Sequence, residues 1–219
     1  SEYLLQASIN TLALASIATF ITILVGFFIV SAARFSRTTW FSRISSLGYA
    51  IPGTVLAIGL MLSLGALDHA VADFFEFQLG ISTGLLFLGT SFTLIYVYAV
   101  RFLAISIGSI ESGYNRIHAV LDDAACNLGQ NKRDILWRVH FPLLRPAIIS
   151  AALLIFVDCM KELPATLLLR PLNMETLATQ LYAEASRGTY EDGAIAALLI
   201  VLVGLIPVIL LARMSKNSR

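Results

Sequence analysis

Four stretches of this chain run for 20 residues or more without a charged side chain: Tyr3–Ala33, Ile44–Leu67, Phe77–Val100 and Gly193–Ala212. A helix needs about 20 apolar residues to cross about 30 Å of hydrocarbon, and each stretch supplies them. Only 13% of the 219 residues are charged and 58% are hydrophobic, whereas soluble domains carry about 25% charged residues. Such a chain cannot cover a water-facing surface with polar groups. The expectation is an all-α, polytopic transmembrane protein. Lys plus Arg (15) nearly cancels Asp plus Glu (14), so no basic excess points to nucleic acid.

A fifth span begins at Pro146, runs through Ala147–Val157, meets Asp158, Lys161, Glu162 and Pro164, and resumes as Ala165–Leu169. It reads as a span with an irregular outer half. Orientation follows from the basic residues. Arg34–Arg43 carries three, Arg101–Arg145 six and the tail three, whereas the N-terminus and the 65–80 loop have none and residues 161–192 have three beside five acids. The positive-inside rule then puts the N-terminus outside and the C-terminus inside. Residues 4–30 do not read as a signal peptide, because no basic segment precedes a run about twice the usual apolar length. Ser1 reads either as the residue left by removal of an initiator Met or, with Glu2-Tyr3 leading straight into apolar sequence, as a cut from a longer chain.

The 45 residues Arg101–Arg145 form the long cytoplasmic loop of this topology, and they alternate apolar and charged positions. Ala119–Leu128 predicts a short helix, with Asp122 and Asp123 in its first turns, where the helix dipole favours anions. Gly129 supplies a C-cap. A second helix, about Lys132–His140, is expected to stop at Phe141-Pro142. This helix–glycine–helix elbow suits docking of a soluble partner, and Ala124 and Ala125 would let it approach closely.

Asp123-Ala124-Ala125, Gly129 four residues on, Val139, and then Phe141-Pro142 resemble the Glu-Ala-Ala…Gly…Ile-x-Leu-Pro loop of the membrane subunits of binding-protein-dependent ABC importers. Asp replaces Glu, Val replaces Ile and Phe replaces Leu, with the spacing intact. The resemblance implies a type I ABC importer permease core of about five or six membrane helices, making residues 1–219 a single permease domain with its coupling loop at about 101–145. It makes Asp122–Leu128 the coupling helix that sits in a groove of a cytoplasmic ATPase, with Asp122, Asp123, Ala124, Ala125, Leu128 and Gly129 at that interface. A cytoplasmic hairpin lying on the membrane is the alternative.

The run Met160–Pro171, then Thr176-Leu177-Ala178-Thr179, resembles iron(III)-type permeases, as do Tyr49–Gly53 and Leu198–Gly204. Two such halves usually share one polypeptide in that group, and this chain looks like the C-terminal one. The resemblance implies import of iron(III) across a bacterial inner membrane by alternating access. The implied partners are a cytoplasmic ABC ATPase dimer, a periplasmic substrate-binding protein and a second permease half. Thiamine, polyamine and phosphonate permeases are close relatives of that group. An ion-driven secondary transporter is a different reading, for which only Asp158 offers a coupling residue; a membrane scaffold recruiting a protein through residues 119–142 is another. With no Gly-x-x-x-x-Gly-Lys-Ser/Thr in the chain, the usual ATP phosphate loop is missing, no resident cofactor is implied, and the energy must come from a partner.

Asp158, Lys161 and Glu162 share a helix face if the helix continues, and Pro164 then breaks it. Irregular backbone at membrane depth is tolerated where it lines a water-filled cavity. These four residues are therefore the candidate gate or translocation path, with a carboxylate attracting a hard cation. Against this stands plain neutralisation, Lys161 pairing with Asp158 or Glu162. Pro52-Gly53 reads as a hinge or as an N-terminal proline beside a packing glycine. His69, His118 and His140 look isolated. Cys126 and Cys159 fall in a loop and a span, which disfavours a disulfide.

Overall fold

The computed structural model describes residues 2–36, 40, 48, 50–80 and 84–217. Among the described residues five helices are long and apolar enough to cross a membrane. They are α1 (Glu2–Ser36), α2 (Gly53–Leu79), α3 (Ser91–Tyr114), α6 (Phe141–Met160) and α9 (Tyr190–Asn217). Shorter helices join them: α4 (Ala119–Asn127), α5 (Lys132–Ile135), α7 (Pro164–Leu169) and α8 (Leu177–Arg187).

Helices α1, α3 and α6 pack into the core. Leu14, Ala15 and Ala18 meet Leu94, Val97, Tyr98, Ile155 and Cys159 towards one end, and Phe27 and Val30 meet Ile107, Ile110 and Leu144 towards the other. Gly26 sits against Ser106 and Ser31 against Tyr114, so α1 and α3 run in the same direction. Gly113 sits against Leu144 and Glu162 against Arg101, so α6 runs oppositely. Helices α2 and α9 are peripheral, with only 11% and 17% of their most apolar windows buried, against 44% for α1 and α3. Their exposed Leu62, Phe77, Leu198 and Leu202 present apolar side chains of the kind that water penalises and lipid accepts.

Three boundaries differ from the sequence reading. Helix α2 continues past Leu67 through Asp68, His69, Asp73 and Glu76 to Leu79, and α3 does not start until Ser91. Arg101, expected at the start of the cytoplasmic loop, therefore lies in mid-helix. Charge did not end these helices because Asp68 and Arg101 are partnered inside the bundle, while His69, Asp73 and Glu76 stay exposed. Asp68, fully buried, accepts from the N–H groups of Leu86, Phe87 and Leu88 at 2.8–3.2 Å. Nor does Phe141-Pro142 stop a helix: α5 passes through a π-helical turn, Leu136–His140, directly into α6. The wide turn frees the geometry before Pro142, as expected where an i→i−4 ladder is interrupted. The expected starting residues of the second span, Ile44–Leu47, and Arg37, Arg43, Tyr49 and Arg219 lie outside the described residues.

After Met160 the fifth expected span breaks as anticipated, and α7 restarts with Pro164 in its first turn, where the missing N–H is no loss. Thr176 and Thr179 form a capping box for α8. The side chains of Asn10 and Thr11 on α1 bond the backbone at Glu175 and Leu177. Tyr98 is buried and Tyr96 exposed, the opposite placement expected of i, i+2 on a helix.

Candidate functional site: the helix Ala119–Asn127 and the break at Glu162

The nine residues of α4 lie beyond the basic end of the bundle. Its C-terminus is closed by Gly129 at φ +78°. The N–H of Gly129 donates to Cys126 O at 2.9 Å and that of Gln130 to Ala125 O at 3.0 Å. These two bonds complete a Schellman motif. Asn131 then caps α5 by accepting from Asp134 N.

The outward face of α4 carries Asp123, Ala124, Val120 (72% exposed) and Leu121, with Leu128 (80% exposed) following. Ala125 turns inward and is 8% exposed, so of the alanine pair only Ala124 offers close approach. Asp122 also turns inward. Its Oδ2 accepts from Arg34 Nε at 3.0 Å and its Oδ1 from His140 Nε2 at 2.7 Å. Arg34 donates in addition to Ile117 O at 3.1 Å. His140 is fully buried, stacked on Phe35 and edge-on to Tyr114, whose hydroxyl lies 3.3 Å from Nδ1 and 2.9 Å from Ser31 Oγ. Sequence reading missed this cluster: His140 is 18 residues from Asp122 and Arg34 is 88 away, and no local pattern joins them.

The second locus lies one length of α6 away, 20 residues or about 30 Å. Asp158 is held by Lys161 at 2.8 Å. Glu162, 6% exposed, faces Arg101 across the helices, with Oε2 and Nε 3.3 Å apart. Its Oε1 accepts from Ala165 N at 3.3 Å, and its carbonyl from Thr166 Oγ1 at 2.6 Å. Thr166 Oγ1 and Tyr98 Oη are 2.5 Å apart. Gly53, at the start of α2, closes the site: a Cβ there would overlap the Arg101 guanidinium and come within 2.9 Å of Glu162 Oε1. Gly53 is thus explained as a close-approach position. All four candidate gate residues sit at the break, but the two acids do not converge. Among the described residues no group of three or more His, Cys, Asp or Glu side chains is arranged to hold a metal ion.

An all-helical, multi-pass membrane protein with one span broken by proline and a capped helix set beyond the basic end has the fold of an ABC-transporter permease. The whole chain superposes on a chain from the crystal structure of a bacterial alginate ABC transporter in complex with alginate pentasaccharide-bound periplasmic protein. That match has a TM-score of 0.73 at 18% identity and covers 80% of that chain. In sequence the chain is 27% identical over 217 residues to the Fe(3+)-transport system permease protein FbpB 2 of Haemophilus influenzae, covering 97% of this chain and 39% of that protein. It is 26% identical over 178 residues to the putative 2-aminoethylphosphonate transport system permease protein PhnV of Salmonella typhimurium, covering 81% and 61%. The ferric transport system permease protein FbpB of Actinobacillus pleuropneumoniae is 26% identical over 199 residues. No family model matches. The chain is therefore a homologue of ABC-transporter permeases, and it spans about two fifths of the first ferric relative's length.

Proposed function

We propose that this chain is one half of the membrane pathway of an ATP-driven importer for iron(III). A periplasmic binding protein delivers the cargo, and a cytoplasmic ATPase dimer drives alternating access through α4. The observation that carries this reading is the likeness of nearly this whole chain to two fifths of a ferric permease, joined to a capped helix with an exposed apolar face beyond the basic end. Val120, Leu121, Ala124 and Leu128 offer an ATPase a compact apolar surface rimmed by Asp123, and Gly129 fixes its angle. Basic residues at that end support a cytoplasmic placement, and the likeness to ABC-transporter permeases supports the bacterial inner membrane. A second permease half completes the path, because peripheral α2 and α9 leave one copy open on its flank.

A phosphonate cargo is the second reading. The 2-aminoethylphosphonate relatives match 61% of their own length, and each candidate gate carboxylate already faces a cation, which leaves a bare trivalent ion no unneutralised acid. Uptake of radiolabelled iron(III), 2-aminoethylphosphonate, thiamine and putrescine by iron-starved cells with and without this chain decides between them. Loss of iron uptake alone supports the iron reading. Unchanged iron uptake with lost phosphonate uptake replaces it with the second.

A further inference from the structure

Among the described residues, the side-chain polar ties between α4 and the membrane spans converge on Asp122. A carboxylate only accepts, so His140 Nε2 is the donor to it; Nδ1 of a neutral ring is then left to accept from the Tyr114 hydroxyl, which in turn accepts from Ser31. The order Ser31 to Tyr114 to His140 to Asp122, met from the other side by Arg34, satisfies every member. It links four elements: α1 through Ser31 and Arg34, α3 through Tyr114, the π-turn leading into α6 through His140, and α4 through Asp122. The covalent joints of α4 are weaker constraints. Residues 115–118 and 128–131 are turns held by local bonds, and Arg34 must reach Ile117 O to steady the first of them.

We propose that His140 is the positioning residue that joins α4 mechanically to the spans. By fixing Asp122 between the π-turn and Arg34, it delivers a displacement of α4 to α1 and α6 together. His140 has no exposed surface, so it acts only through Asp122 and touches no partner. The π-turn is the compliant point: it interrupts the regular i→i−4 ladder between α5 and α6, and such turns are frequent at functional sites. This inference rests on the reading of α4 as a coupling helix, and two measurements separate their failures.

The first is hydrogen exchange of the full chain alone in lipid nanodiscs. His140→Phe keeps an aromatic ring for stacking, in a slightly larger volume, but removes both polar contacts. It is expected to speed exchange tenfold or more in residues 119–127 and 132–140, leaving 94–107 in α3 unchanged. His140→Gln, whose side-chain amide still donates to Asp122, should stay within threefold of the parent. Should His140→Phe fail to fold, Tyr114→Phe removes one hydroxyl and is expected to speed the same segments about threefold. Exchange within twofold of the parent, or a uniform rise that includes 94–107, overturns the proposal.

The second is iron(III) taken up per ATP hydrolysed by the complex isolated through this chain and placed in liposomes. His140→Phe should retain the ATPase yet lose the ratio tenfold or more, and His140→Gln should recover it to within threefold. An unchanged ratio overturns the proposal. If the parent chain brings down no ATPase, the coupling reading fails instead, and hydrogen exchange alone decides whether His140 anchors α4.

Discussion

Glu162 at the break after α6 faces Arg101 on α3, with Oε2 and Nε 3.3 Å apart and the carboxylate 6% exposed. The pair spans 61 residues of sequence and two antiparallel helices, and it sits where the chain is least regular. Glu162 has both oxygens engaged, one by Arg101 and one by Ala165 N–H, so its charge serves the fold before any cargo.

Removing one partner of a buried pair leaves the other uncompensated, at a cost of about 3–5 kcal/mol, whereas replacing both can be nearly neutral. Glu162→Gln alone is therefore expected to lower the unfolding midpoint of the detergent-solubilised chain and its uptake together. Arg101→Met with Glu162→Gln should recover both. A double variant that is stable yet inactive would restore the carboxylate as a cargo ligand.

The same pair explains where the sequence was legible and where it was not. Four charge-free runs and the basic loops were enough for five spans, because desolvation of apolar side chains is a local property. The ends of α2 and α3 were not legible. A hydropathy window treats Asp68 and Arg101 as solvated, and the partners that bury them, residues 86–88 and Glu162, lie 18 to 61 positions away. The cap at Gly129 was legible because it is made by neighbours. His140 seemed isolated for the opposite reason, since its partners belong to three other elements.

Asp68 gives a second test. It holds three backbone donors of the segment before α3 with no exposed surface, and hydrogen bonds to a charged group contribute about 1.5–3 kcal/mol each. Asp68→Asn keeps size but turns an amide donor towards those N–H groups. The unfolding midpoint should fall, and amide exchange at residues 86–88 should rise at least tenfold before the core of α3 responds. Unchanged exchange there would show that the loop is held by packing alone.

Close approach of α1 and α3 gives a third. A Cβ on Gly26 would overlap Ser106 Oγ and come within 2.7 Å of Ser106 Cβ, a clash with a short, stiff side chain. Overpacking of this kind costs about 1–3 kcal/mol. Gly26→Ala should destabilise the solubilised chain by that amount, and Ser106→Gly in the same molecule should restore most of it. No rescue would mean that the helices separate by another route.

Gly129 tests the cap of α4. At φ +78° an L side chain is strained by about 1–2 kcal/mol, and the two Schellman bonds hold only while that backbone conformation lasts. Gly129→Ala is expected to raise exchange at Gly129 and Gln130 about tenfold, because the cap opens before the helix does. The membrane spans, more than a turn away and packed by their own cores, should keep their exchange rates and the chain its unfolding midpoint to within a degree or two. With the ATPase present, the same variant should lower the amount retained on the chain, because Leu128 and Val120 no longer share a fixed face. Asn at the same position tolerates the left-handed region better than Ala, so Gly129→Asn should lie between parent and Gly129→Ala in both measurements. Equal behaviour of the Ala and Asn variants would show that the space around Gly129, and not its backbone angle, is what the position requires.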